Sequence, residues 1–138
     1  MTPTTAGAPA TILDQVTISP ARTVAAVAFV LAAAGIGLQI LAGADYPVVP
    51  PGAIILLAGA AVCVWWRPWW APLVAAGLCA FLLVGAVLAP NARDNLSAGL
   101  GSGRVWGTLL QLVAVVVALA ASVTAARQER RSRSSVRQ

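Results

Sequence analysis

Trp65-Trp66-Arg67-Pro68-Trp69-Trp70 decides how this chain is folded. The stretch carries four of the five tryptophans, one arginine and one proline, with long apolar runs on either side. Indole rings are amphipathic and collect where lipid tails meet headgroups. Pro68 breaks a helix interior, because it lacks an N–H and its ring clashes one turn back. Arg67 is costly at the centre of a bilayer. A soluble core would have to bury four indoles around a charge. Trp65, Trp66, Trp69 and Trp70 are therefore read as an interfacial belt on a tight turn between two membrane helices. A single helix kinked at Pro68 fails on length. Residues 52–89 would make a rod of roughly 57 Å at 1.5 Å per residue, nearly twice a hydrocarbon core.

Composition agrees with that placement. The chain has 138 residues, 59% hydrophobic and only 9% charged. Soluble domains carry about 25% charged residues, so the deficit of charge marks a membrane protein. All nine basic residues are arginine, and histidine is absent, which removes the commonest general base and metal ligand. Cys63 and Cys79 both fall within apolar runs. Measured from the tryptophan turn they differ in depth by roughly 10 Å, too far for a disulfide between straight neighbouring helices.

Working outward, residues 1–20 read as a disordered N-terminal tail, with Ser19 or Pro20 as a helix start. The membrane domain covers residues 21–126, with four spans at about 21–43, 52–66, 69–89 and 105–126. The second is short, roughly 22 Å of helix, unless Pro50 and Pro51 serve in its first turn. Ala42-Gly43-Ala44 has the small-residue form of a signal-peptide cleavage site. The apolar run before it exceeds a typical signal core, which favours a retained span. Residues 91–104 read as a polar, glycine-rich loop, and 127–138 as a basic tail. The fold class is all-α, a polytopic membrane protein built as an antiparallel four-helix bundle. Small residues spaced by four would let its helices approach closely, among them Ala28 with Ala32, Ala33 with Gly37, and Ala114 with Ala118.

Positive residues stay on the cytoplasmic side of a span. Arg22, Arg67 and the five arginines of the tail fall on one side, and Arg93 and Arg104 on the other. Seven against two sets both termini in the cytoplasm, in a cell (plasma) membrane. Arg67, Arg127, Arg130, Arg131 and Arg133 would then contact anionic headgroups.

Two polar side chains stand inside the spans. Gln39 and Gln111 both fall in the outer half, within reach of each other, and Thr108 shares a helix face with Gln111. They are read as one interhelical hydrogen bond or, more sharply, as a candidate polar membrane site. Asp45, Tyr46, Arg93, Asp94 and Arg104 form a candidate outer rim.

For catalysis the inventory is poor. No carboxylate lies within a span, no metal-ligand cluster is visible, and the glycines of residues 99–103 match no nucleotide fingerprint. No enzyme activity, cofactor or metal is expected. Small multidrug exporters share the size of this chain, but their first-span glutamate has no counterpart in residues 23–42. The expected function is association with membrane lipid, with copies of the chain as a homo-oligomer, or with another membrane protein; nucleic acid is not an expected partner. The second reading is a passive transporter or channel subunit with a polar outer cavity, which requires a continuous polar path through Gln39, Thr108 and Gln111.

The connector Asp45-Tyr46-Pro47-Val48-Val49-Pro50-Pro51-Gly52, the alanine-rich spans and the all-arginine tail resemble small tetraspan membrane proteins common in high-GC actinobacteria. The resemblance covers residues 21–126 and implies the four-span architecture. It carries no activity, because that group has none assigned.

Overall fold

The computed structural model of the protein describes residues 19–46 and 50–136. Most of the expected N-terminal tail, residues 47–49 of the proline connector and Arg137 of the basic tail lie outside the described residues. The fold is all-helical, and five helices follow in order: α1 (Pro20–Leu41), α2 (Pro51–Trp65), α3 (Ala71–Leu88), α4 (Pro90–Ser97) and α5 (Gly103–Val136). Three of them, α1, α3 and α5, are long and apolar enough to cross a membrane. The fourth apolar helix, α2, has 15 residues.

Helix ends follow local chemistry. Ser19 caps α1 by accepting from the Arg22 amide at 3.3 Å. Pro20, Pro51 and Pro90 each open a helix, where a missing N–H is harmless. At the other end of α1 the Gly43 amide donates to the Ile40 carbonyl and the Ala44 amide to the Gln39 carbonyl, both at 3.0 Å. That Schellman closure needs a left-handed residue, and Gly43 supplies it with φ of 80°. Ala42-Gly43-Ala44 is thus a helix cap. Ser102 opens α5 by accepting from the Arg104 amide.

The structure departs from the sequence reading at one loop and extends one helix beyond its expected span. Residues 91–104 are not all loop, because α4 occupies the first part. Its sequence is polar, and what holds it is tertiary: Asn95 is 5% exposed and faces the protein interior. The fourth span does not end its helix at Ala126 either. α5 runs on through most of the arginine-rich tail, which places Arg127, Arg130, Arg131 and Arg133 on exposed helical surface.

α1 lies at the centre, packed on α5 and α2; α3 packs on α5 and meets α2. The contact of α1 with α5 is backbone on backbone. A Cβ added to Gly35 would lie 2.8 Å from the Gly107 carbonyl oxygen, and one added to Gly107 would lie 2.7 Å from the Gly35 carbonyl oxygen. Contacts this close let two helices approach without intervening side chains. Ala28, Ala32, Ala114 and Ala118 extend the same seam and are buried. Gly37 takes no part, since a Cβ there would meet nothing. Between α1 and α2 the fully buried Phe29 ring lies on Gly59, where an added Cβ would come within 2.6 Å of it. Cys63 and Cys79 are buried free thiols. On the outside the spans present Val27, Val30, Phe81, Val84, Val113 and Val116, all at least half exposed. Water would penalise that surface, whereas lipid tails match it.

The tryptophan turn is tied down by one side chain. Arg22 is 8% exposed at the start of α1. Its Nε and Nη2 donate to the Glu129 carboxylate on α5 at 2.7 and 3.2 Å. Its Nη1 donates to the Trp66 carbonyl at 2.7 Å and its Nη2 to the Pro68 carbonyl at 3.2 Å. Those carbonyls lie at the end of α2 and in the turn, where a helix leaves acceptors without intrahelical donors. A single guanidinium therefore joins α1, α5 and the α2–α3 turn. Around it Trp66 and Trp70 meet edge to face at 5.1 Å, and the Arg130 guanidinium stands 5.5 Å over the Trp69 ring.

Two outcomes are expected in reversible unfolding from mixed micelles. Gly59→Ala should destabilise by about 1–3 kcal/mol through overpacking against Phe29, and Phe29→Leu in the same chain should recover part of that loss as a coupling energy. Arg22→Met should destabilise by about 3 kcal/mol, since it strands a largely desolvated carboxylate and two carbonyls. Arg22→Lys should recover little, because an ammonium lacks the planar fork that reaches four acceptors.

Candidate polar site at the connector end

The α1–α5 crossing that excludes side chains at Gly35 and Gly107 also fixes where two glutamines must go. Gln39 is one turn beyond Gly35, and Gln111 is one turn beyond Gly107. The helices run antiparallel, so each glutamine stands against the other helix's glycine. A Cβ on Gly107 would strike Gln39 Cγ at 2.7 Å, and one on Gly35 would meet Gln111 Cβ at 3.1 Å. Gln39 Nε2 donates to Gln111 Oε1 at 2.8 Å across the seam.

Two more residues converge on Gln39, which is 1% exposed. The Tyr46 hydroxyl, from the connector, donates to Gln39 Oε1 at 2.7 Å. Asn95 Nδ2, from α4, donates to the same oxygen at 2.9 Å. Both lone pairs of that oxygen are thus engaged. Burial pushes the Tyr46 phenol above its ordinary value near 10, with Asn95 acting in the opposite sense. At neutral pH it is therefore a neutral donor. Thr108 is 2% exposed, and its hydroxyl donates to the Arg104 carbonyl one turn back on α5 at 2.9 Å.

Beside this network lies a cavity of about 430 Å³. Gln39, Tyr46, Thr108 and Gln111 give it one polar end. Its apolar walls come from the start of α2 and from the far half of α3, including Ile55, Leu82 and Ala86. The candidate polar residues read from the sequence thus meet, and they border an open volume.

The candidate rim does not meet as a cluster. Tyr46 belongs to the buried network. Arg104 Nε donates to the Ala42 carbonyl at 3.3 Å, which ties α5 to the end of α1. Arg93 Nη2 is turned onto the Val87 carbonyl at 3.4 Å. Asp45 and Asp94 are exposed. Surface charges of this kind prefer water or a nearby carbonyl to one another, since exposed ion pairs contribute little. Among the described residues, no three His, Cys, Asp or Glu side chains are grouped so that they could hold a metal ion.

Three participants were not picked out from sequence: Asn95, Glu129 and the glycine pair. The glycines did leave a signal, the repeated Gly-x-x-x-Gln at 35–39 and 107–111. Glu129 left a weaker one, as the single acid in a run of arginines.

Gln39→Leu should remove three hydrogen bonds and leave Asn95 buried without its acceptor. Each such bond in a membrane interior is worth about 0.6–2 kcal/mol, so the loss in mixed-micelle unfolding should exceed that of Gln111→Leu, which removes one. Equal losses would show that Asn95 and Tyr46 do not depend on Gln39. Compared with known protein families, curated proteins and solved structures, the chain matches none of them.

Proposed function

We propose that the chain is a four-span protein of the cell membrane, with both termini cytoplasmic, that works by association and not by catalysis, and that its associate is a membrane lipid. The observation that carries this reading is the cavity of about 430 Å³, apolar along α2 and α3 and polar where Gln39 and Gln111 meet. A volume of that size is ordinary for a ligand site. Among the described residues its walls offer no carboxylate, thiol or histidine to a reacting group.

The Arg22 clasp supports the four-span topology. It gathers the start of α1, the α2–α3 turn and the basic end of α5 at one end, which is where the arginine-rich segments belong if they are cytoplasmic. On that topology α2 crosses with 15 residues, and Trp65 with its neighbours accommodates the shortfall at the interface. α1 is the element on which α2 and α5 both pack, which argues for a retained span. Conduction through one copy is disfavoured. Between the glutamines and the Arg22 clasp, the described buried residues are apolar except Ser122.

Extraction in mild detergent followed by native mass spectrometry tests the reading. One lipid per chain should survive on the wild type and be lost from Gly85→Phe, a position that lines the cavity and where an added Cβ meets nothing. A protein companion in fixed ratio with no bound lipid would overturn it. A reporter fused after Gln138 should be active only in the cytoplasm.

A further inference from the structure

We infer that the cavity at the connector end selects an uncharged amphiphile headed by a hydroxyl group, of the long-chain alcohol or monoacylglycerol kind. This rests on the reading of the cavity as a lipid site and names the headgroup that the site takes.

The polar end has a definite set of unengaged groups. Gln111 uses its oxygen for Gln39, and among the described residues its Nε2 has no acceptor. The Thr108 hydroxyl gives its proton to the Arg104 carbonyl and keeps its lone pairs. The Tyr46 hydroxyl gives its proton to Gln39 and already has the Asn95 amide against its oxygen, so it is the weaker of the two acceptors. All three residues line the cavity. An incoming head thus meets one amide donor and two hydroxyl acceptors. A hydroxyl group satisfies both kinds at once, accepting from Gln111 and donating to Thr108 or Tyr46. A carbonyl head would use the donor alone.

Charge is the second criterion. Among the described residues, no ionised side chain lines the cavity. Arg93 and Arg104 donate to the Val87 and Ala42 carbonyls, and neither lines it. A phosphate or carboxylate placed against these walls would lose hydration without gaining a counter-charge, the penalty that excludes unpaired ions from apolar interiors. The lipid side is the route of entry. Phe81 and Gly85 belong both to the cavity wall and to the exposed surface of α3, so a chain sliding between α2 and α3 comes from the acyl region.

The test uses the full chain in phosphatidylcholine nanodiscs, with hexadecanol and hexadecyl phosphate as matched probes. Binding is read by native mass spectrometry and by the shift in unfolding temperature. Hexadecanol should bind once per chain, at least tenfold more tightly than the phosphate. Gln111→Leu should weaken the alcohol about tenfold, the effect of one hydrogen bond. Thr108→Val, which keeps the shape and the Gln39–Gln111 bond, should weaken it in the same direction. Gly85→Phe should abolish binding, whereas Gly77→Phe, open on the same helix but away from the cavity, should leave it intact. Equal binding of both probes, removed by Gly85→Phe, would overturn the headgroup assignment and leave the lipid site standing. No saturable binding of either probe, or binding indifferent to Gly85→Phe, would overturn both.

Discussion

The structure depends on the direct contact of α1 with α5 at Gly35 and Gly107. A lipid solvent gives helices no hydrophobic reason to associate, because leaving lipid for protein changes little for an apolar side chain. Association has to come from close packing and from polar groups that lipid cannot satisfy. Both occur here at one crossing. The glycines bring each backbone against the other's carbonyl oxygen, and the same spacing carries a glutamine one turn on to meet its counterpart. Any side chain at Gly35 or Gly107 would push the helices apart and stretch the amide contact with them. The antiparallel register of α1 and α5 is thereby specified by two residues on each helix.

The rest follows from that register. Gln39 donates its amide N–H at the crossing and keeps both lone pairs of its oxygen, which draw in the connector through Tyr46 and α4 through Asn95. This explains why a polar octapeptide without a side-chain N-cap is helical at all. It also explains the cavity. α2 reaches α1 through Phe29 and Gly59, and α3 packs on α5. At the connector end the start of α2 and the far half of α3 line the volume beside the paired glutamines.

What could be read from the sequence divides along the same physical line. The apolar helices were legible to within a few residues, except the far end of α5, because they depend on run length, proline and the tryptophan belt, all of them local. The meeting of Gln39 with Gln111 was legible from depth alone. Three features were not. α4 is polar and short, and only its long-range bond through Asn95 makes it helical. The Arg22–Glu129 pair joins residues at opposite ends of the chain, and each looks like ordinary interfacial charge by itself. The glycine crossing does not follow from small residues spaced by four within one helix, since its pattern is a glycine spaced from a glutamine and repeated on the partner helix.

The two ends of the molecule use different chemistry to solve the same problem, and the difference goes with burial, Gln39 being 1% exposed and the Glu129 side chain 24%. At the tryptophan end the fastening group is an ion pair, with the Glu129 side chain 24% exposed and the Arg22 side chain 9% exposed. An ion pair is sustainable near water, where the remaining charge stays partly hydrated, and it reaches farther than an amide. Moved toward the centre of the spans, the same pair would carry a desolvation penalty that its attraction need not offset. At the glutamines the fastening groups are neutral amides and hydroxyls, which lose less on burial and can be satisfied by one another. The guanidinium engages four acceptors in an occupied space. Among the described residues the amide network leaves one donor unengaged beside a cavity, so the connector end is where this fold has room for something else to bind.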